Sequence, residues 1–156
     1  MDRSQNEARV RLATEADLPR LLELLQQLSL DAPREQVTSP LAVSYRRAFQ
    51  EIEADERQQL FVVEDSGRVV GTVCLIILPN LSHEGRPYAL VENVVVDETE
   101  RSAGYGELLM RHAIAEARRA GCYKLALTSN KRRPDAHRFY QRLGLRSTSE
   151  GFRIDF

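Results

Sequence analysis

The chain contains 156 residues, 42% of them hydrophobic and 29% charged, which suits one globular domain over residues 1–156 and excludes an intrinsically disordered chain. Lys and Arg number 22 against 23 Asp and Glu, so the net charge of −1 lacks the basic surplus of a general nucleic-acid binder. The two cysteines, Cys74 and Cys122, have no C-x-x-C spacing and supply neither a disulfide framework nor a zinc site, so no metal is expected.

Val10–Ala13 reads as a short first strand. Thr14 and Asp17 offer helix-starting side chains, and Pro19 falls in the first turn, where its missing N–H costs little. Leu18, Leu21, Leu22, Leu25 and Leu28 recur at helical spacing and give this helix one apolar face. Ser39-Pro40 then reads as a cap followed by proline, opening a second helix with Leu41, Tyr45, Ala48, Phe49 and Ile52 on one side. Leu60–Glu64 and Arg68–Leu78 flank Asp65-Ser66-Gly67 as a hairpin.

Residues 79–87 read as a loop, and Tyr88–Val96 as a strand apolar enough to be buried on both faces. A polar turn, DETERSAGYG, leads into a helix reaching about Ala120, with Leu109, Met110, Ala113, Ile114 and Ala117 inward and Gly121 as its stop. Lys124–Thr128 reads as a strand, Asp135–Leu143 as a helix ended by Gly144, and Leu145–Phe156 as a closing hairpin. The order β-α-α-β-β-β-α-β-α-β-β, with a parallel crossover between residues 88 and 128, predicts an α/β fold with a mixed sheet and helices on both faces. The longest apolar run, Val69–Leu78, falls short of the roughly 20 residues a membrane span needs. The polar start, MDRSQNEARV, has no apolar signal core, so the expectation is a cytoplasmic protein without membrane partners.

RSAGYG, Arg101 to Gly106, lies between the buried strand and the long helix. Two glycines allow a tight bend and close ligand approach, and the N–H groups at the helix start favour an anion such as a pyrophosphate. Arg101 adds a full charge and Ser102 a hydroxyl donor. A Rossmann turn needs G-x-G-x-x-G, but Leu109 occupies the third glycine position, and no Walker-A lysine follows. On the residues alone, a solvated glycine turn capping a helix remains an equal reading.

RSAGYG after VENVVVD closely resembles the acetyl-CoA signature of the GNAT superfamily of N-acetyltransferases, Q/R-x-x-G-x-G/A. SNKRRPDAHRFYQRLGL resembles that superfamily's second cofactor segment, with Asn130, Ala136, Tyr140 and Gly144 at matching spacing. The motifs lie in residues 88–145, and residues 1–60 match by element order only. The resemblance implies that the backbone of Val94, Val95 and Val96 holds the pantetheine arm as if it were a strand, a pairing that an open sheet edge makes readily. It implies that Arg101, Ser102, Ala103, Gly104, Tyr105 and Gly106 hold the pyrophosphate, with Ser102 standing where the family often has Gly. Asn130, Ala136 and Tyr140 complete the implied acetyl-CoA contacts.

Acetyl transfer from a thioester to an amine needs a base for the amine, a donor for the oxyanion and an acid for the leaving thiolate. By resemblance Tyr140 is the acid and a backbone N–H near Val94 the oxyanion donor. The face Ala136, Phe139, Tyr140 and Leu143 equally suits a core tyrosine. Glu92, between apolar neighbours on the face of Leu90 and Val94, is the expected buried base, with a structural ion pair as the alternative. His83 is a loop residue, His112 a surface one, and His137 flanks the cofactor helix. Lys131-Arg132-Arg133 reads as a solvated loop that would meet the CoA 3′-phosphate if it lies beside it.

The leading expectation is N-acetyl transfer from acetyl-CoA to a primary amine, small or peptidic, by direct attack in a ternary complex. A non-catalytic acyl-CoA-binding module and a toxin-like enzyme acetylating aminoacyl-tRNA are the alternatives, the latter disfavoured by the charge. Asp31, Glu35, Glu84 and Glu150 give the expected acceptor loops an acidic bias that suits a cationic amine. Dimers are common in the superfamily, which extends the expectation to a homodimer.

Overall fold

The computed structural model describes residues 7–156, so the start of the polar N-terminal stretch lies outside the described residues. They form two compact units, one running through Ala126 and the other Leu127–Phe156. The first unit holds β1 (Arg9–Leu12), α1 (Leu18–Gln26), α2 (Val43–Ala54), β2 (Gln58–Asp65) and β3 (Arg68–Leu78). It continues through α3 (Ser82–Gly85), β4 (Tyr88–Val96), α4 (Tyr105–Arg119) and β5 (Leu125–Ala126). The second contains α5 (Pro134–Arg142).

The sheet order is β1-β2-β3-β4-β5, antiparallel through β4 and parallel between β4 and β5. Directly paired residues share a face. Phe61, Val63, Gly71 and Val73 are paired on one face, where Phe61 meets His112 of α4 edge-on at 4.6 Å. Leu60, Val62, Thr72 and Cys74 are paired on the other. There Val62 joins Leu18, Leu21, Leu24, Phe49, Val69 and Val95 in one apolar cluster. Leu24 is fully buried although it was not part of the expected stripe, while Leu25 and Leu28 only flank the cluster. Thr72 is buried and donates its hydroxyl proton to the Phe61 carbonyl at 2.8 Å, so its polar atom is satisfied within the sheet.

Several expected boundaries shift. The second helix begins at Val43 behind Ala42 rather than at Ser39-Pro40, and only Phe49 of its expected face is buried. The fifth strand shrinks to Leu125–Ala126. The closing hairpin is not formed, and residues 145–156 belong to no helix or strand. α3, expected as loop, is a tight turn whose His83 and Glu84 have positive φ. His112, expected on the surface, is half-buried against Phe61.

Candidate active site

β4 carries an irregularity that the alternation of its sequence hides. Thr72 pairs with Val95 and Cys74 with Glu92, so Val73 alone stands opposite Asn93 and Val94. Asn93 takes φ 54°, the left-handed conformation that asparagine tolerates better than branched residues. This is a β-bulge, and it reverses the facing of everything after it. Val95 therefore shares the α1–α2 face with Leu90 and Glu92, while Val94 turns to the other.

The expected burial of Glu92 is thus corrected. Glu92 is exposed although it shares a sheet face with the half-buried Leu90, at the last regular pairing before the bulge. Its cross-strand partner is Cys74, whose thiol is pushed up to about 11, first by burial and then by the Glu92 charge. Burial also raises the Cys122 thiol, opposed by Arg86. Neither cysteine is therefore a thiolate near neutral pH, and neither is poised as a nucleophile.

On its far edge β4 pairs with β5 only at Ala89↔Leu125 and Leu90↔Ala126. From Val91 to Val96 it runs on with β3 as its strand neighbour, and no strand covers the other edge among the described residues. Asp97, at the end of β4, is buried and accepts hydrogen bonds from the Thr99 backbone N–H at 3.0 Å and from Arg20 and Arg68. The Thr99 bond, with Arg20 next, holds its carboxyl well below the usual carboxylate range. Arg20 also donates from Nε to the Val69 carbonyl at 2.9 Å. The strand end that feeds the glycine turn is thereby tied to α1 and β3. Neither Asp97, read only as part of a polar turn, nor Arg20 was singled out in the sequence.

Arg101, Ser102, Ala103 and Gly104 are all exposed, and Gly104 is the residue before α4 with φ 87°. A Cβ added there would meet nothing within 4 Å, so the backbone faces open space at the helix start. That is the opening an approaching anion requires. Tyr105 and Gly106 are half-buried, and the Tyr105 hydroxyl donates to Asp65 of the hairpin. The Tyr105 ring is therefore anchored to β2. No group of His, Cys, Asp and Glu able to hold a metal occurs among the described residues.

In the second unit Asn130 opens the turn before α5. Its side-chain oxygen accepts from the Arg132 N–H at 2.9 Å, and its carbonyl accepts from the Arg133 N–H and from His137 Nε2. His137 is thus a brace for this turn, protonated on Nε2. Ala136, Phe139, Tyr140 and Leu143 are half-buried on one helical face. Burial pushes the Tyr140 hydroxyl up, opposed by Arg133, so the phenol holds its proton at neutral pH. His83 stacks on Tyr123 at 3.7 Å.

The Acetyltransferase (GNAT) family profile matches residues 21–145. Glucosamine 6-phosphate N-acetyltransferase of Trypanosoma brucei brucei is 33% identical, over 94% of either chain. Aminoalkylphosphonate N-acetyltransferase of Salmonella typhimurium is 35% identical over 53% of either chain. The crystal structure of a Bacillus halodurans protein described as a transcriptional regulator superposes with a TM-score of 0.91 at 37% identity, covering 96% of this chain and 99% of that one. An open β4 edge running into a glycine-capped helix is thus found in a chain whose acetyltransferase relative covers 94% of it: this protein belongs to the GNAT acetyltransferase family.

Proposed function

We propose that the protein transfers the acetyl group of acetyl-CoA to the nitrogen of a small primary amine bearing a phosphoryl or phosphonyl group, by direct attack in a ternary complex. The observation that carries the cofactor half is the ladder that stops at Leu90↔Ala126 while β4 continues to Val96. Unpaired backbone along that edge suits the amide-rich arm of CoA. The acceptor half rests on the relatives, whose names share an amine with a phosphate or phosphonate.

Acetyl-CoA supplies an activated acyl carbon with a thiolate leaving group. The backbone of Val94, Val95 and Val96 holds its arm, and Arg101, Ser102, Ala103, Gly104, Tyr105 and Gly106 hold its pyrophosphate. The family resemblance assigns Asn130 and Ala136 to the cofactor as well. Glu92, open to solvent, accepts the amine proton through water. The amine nitrogen bonds to the acyl carbon while a backbone N–H near Val94 would meet the resulting oxyanion; the C–S bond then breaks, and the Tyr140 hydroxyl would give its proton to the leaving sulfur.

Thiol release with purified protein, acetyl-CoA and a panel of glucosamine 6-phosphate, glucosamine, 2-aminoethylphosphonate and a lysine peptide tests this. The expected outcome is turnover with at least about tenfold higher kcat/KM for the phosphorus-bearing amines, the discrimination a paired buried polar contact supports. Equal rates overturn the acceptor class; no release above hydrolysis with any amine overturns the reaction.

A further inference from the structure

Phe61, Val63 and Asp65 alternate along one face of β2, and α4 packs against that face. Phe61 meets His112 there, and Asp65 accepts a hydrogen bond from the hydroxyl of Tyr105, about two turns earlier on the same side of the helix. A third apolar residue would continue the stripe of Phe61 and Val63. The chain instead has a carboxylate at that place, half-buried at the end of the hairpin. Asp65 pairs with Arg68 across the turn, and the Ser66 hydroxyl lies 3.0 Å from the carboxylate oxygen that Tyr105 does not use.

Tyr105 stands between Gly104 and Gly106, where the backbone has little stiffness of its own. Arg101 to Gly104 are exposed, and the buried stripe of α4 begins only at Leu109. The Tyr105 side chain therefore ties the first turn of α4 to the sheet ahead of the apolar anchor. The N–H groups of Gly106 and Glu107 lie in that turn, before the hydrogen bond from the Leu108 N–H to the Gly104 carbonyl at 3.0 Å, and they point out of the helix start.

We infer that Asp65 is a positioning residue for the cofactor: by holding the Tyr105 hydroxyl it fixes the first turn of α4 where its N–H groups meet the pyrophosphate of acetyl-CoA. The inference rests on the acetyl-CoA reading above. Asp65 acts through Tyr105 and touches no reacting atom. A carboxylate acceptor makes the bond stronger than a neutral pair. Without it the ligand itself must order a turn that contains two glycines, and that cost is subtracted from affinity. The effect belongs to ligands that carry the pyrophosphate. It does not extend to the pantetheine arm, whose partner is the β4 edge.

Calorimetric titration with acetyl-CoA, and competition titration with S-acetyl-pantetheine, which lacks the pyrophosphate, test this on wild type, Asp65→Ala, Tyr105→Phe and the double variant. Tyr105→Phe keeps the ring and removes only the hydroxyl, and circular dichroism is the control for folding. Each single variant is expected to bind acetyl-CoA at least about fivefold more weakly, the worth of one ordinary hydrogen bond, with acetyl-pantetheine affinity unchanged. The double variant is expected to be no weaker than the weaker single one, because both changes remove the same bond. Unchanged acetyl-CoA affinity in either single variant, losses that add in the double variant, or equal losses for the two ligands overturn the inference and leave the cofactor reading standing. A wild type that binds acetyl-CoA no better than acetyl-pantetheine overturns the pyrophosphate reading itself, and this inference with it.

Discussion

Cys74 and Glu92 face each other across β3 and β4, immediately before the bulge at Asn93. The pair joins a buried thiol that stays protonated to an exposed glutamate, the proposed base. Glu92→Gln is expected to lower kcat by about 10²-fold or more, the scale of a positioned base. Acetyl-CoA affinity and melting temperature should stay near wild type, because Glu92 is exposed. Steady-state kinetics beside a thermal melt check this; unchanged kcat removes Glu92 as the base.

Gly71→Ala is expected to destabilise the fold by about 1–3 kcal/mol, as overpacking does. Its Cβ would lie 3.0 Å from the Val95 carbonyl and 3.1 Å from both Leu109 and Val63. Backbone cannot yield as a side-chain tip can, so β4 must move where it is proposed to hold CoA. Urea denaturation and acetyl-CoA titration of the variant should show both losses together; a wild-type midpoint contradicts the packing.

Asp97 gives the fold a defined acid sensitivity. Its folded pKa lies below the unfolded value near 3.9, so its stabilisation is present above that value and fades as pH falls through the lower, folded one. Asp97→Asn leaves Arg20 without its buried carboxylate partner and is expected to cost on the order of 3 kcal/mol at neutral pH. The variant's stability should also fall less steeply than wild type's in the acid limb below about pH 5. Denaturation midpoints from about pH 2 to about pH 7 test both statements.

Tyr140→Phe is expected to lower kcat by about 10²-fold while leaving acetyl-CoA affinity within a factor of about two, since the ring and its half-buried face remain. Burial already keeps the wild-type phenol protonated. Equal turnover in the variant would make Tyr140 a packing residue.

Much of the fold was legible because its signals are local. Asp65-Ser66-Gly67 forms the expected hairpin, Gly121 and Gly144 stop their helices with positive φ, and RSAGYG lies where a strand meets a helix. The bulge was not legible, since Glu92-Asn93 interrupts an apolar run without saying which residue leaves the ladder. That single uncounted residue misassigned the face of Val94, while Glu92 keeps the expected face and is exposed despite its apolar neighbours. Residues 152–156 have the right alternation for a strand, yet a strand also needs a neighbour, which no local pattern supplies. Arg20 gained its role only from long-range packing, bonding Asp97 across 77 positions of the chain.

The central claim is that the β4 edge and the Gly104 turn hold acetyl-CoA. Calorimetric titration of wild type and Gly104→Glu with acetyl-CoA, using NAD and dephospho-CoA as controls, tests it most directly. Gly104→Ala serves to separate backbone strain, about 1–2 kcal/mol at positive φ, from blockage of the site. The account predicts micromolar binding of acetyl-CoA to the wild type, none of NAD, retained binding in a folded Gly104→Ala, and none in Gly104→Glu. Wild-type protein that does not bind acetyl-CoA, or Gly104→Glu that binds it with unchanged affinity, would contradict it.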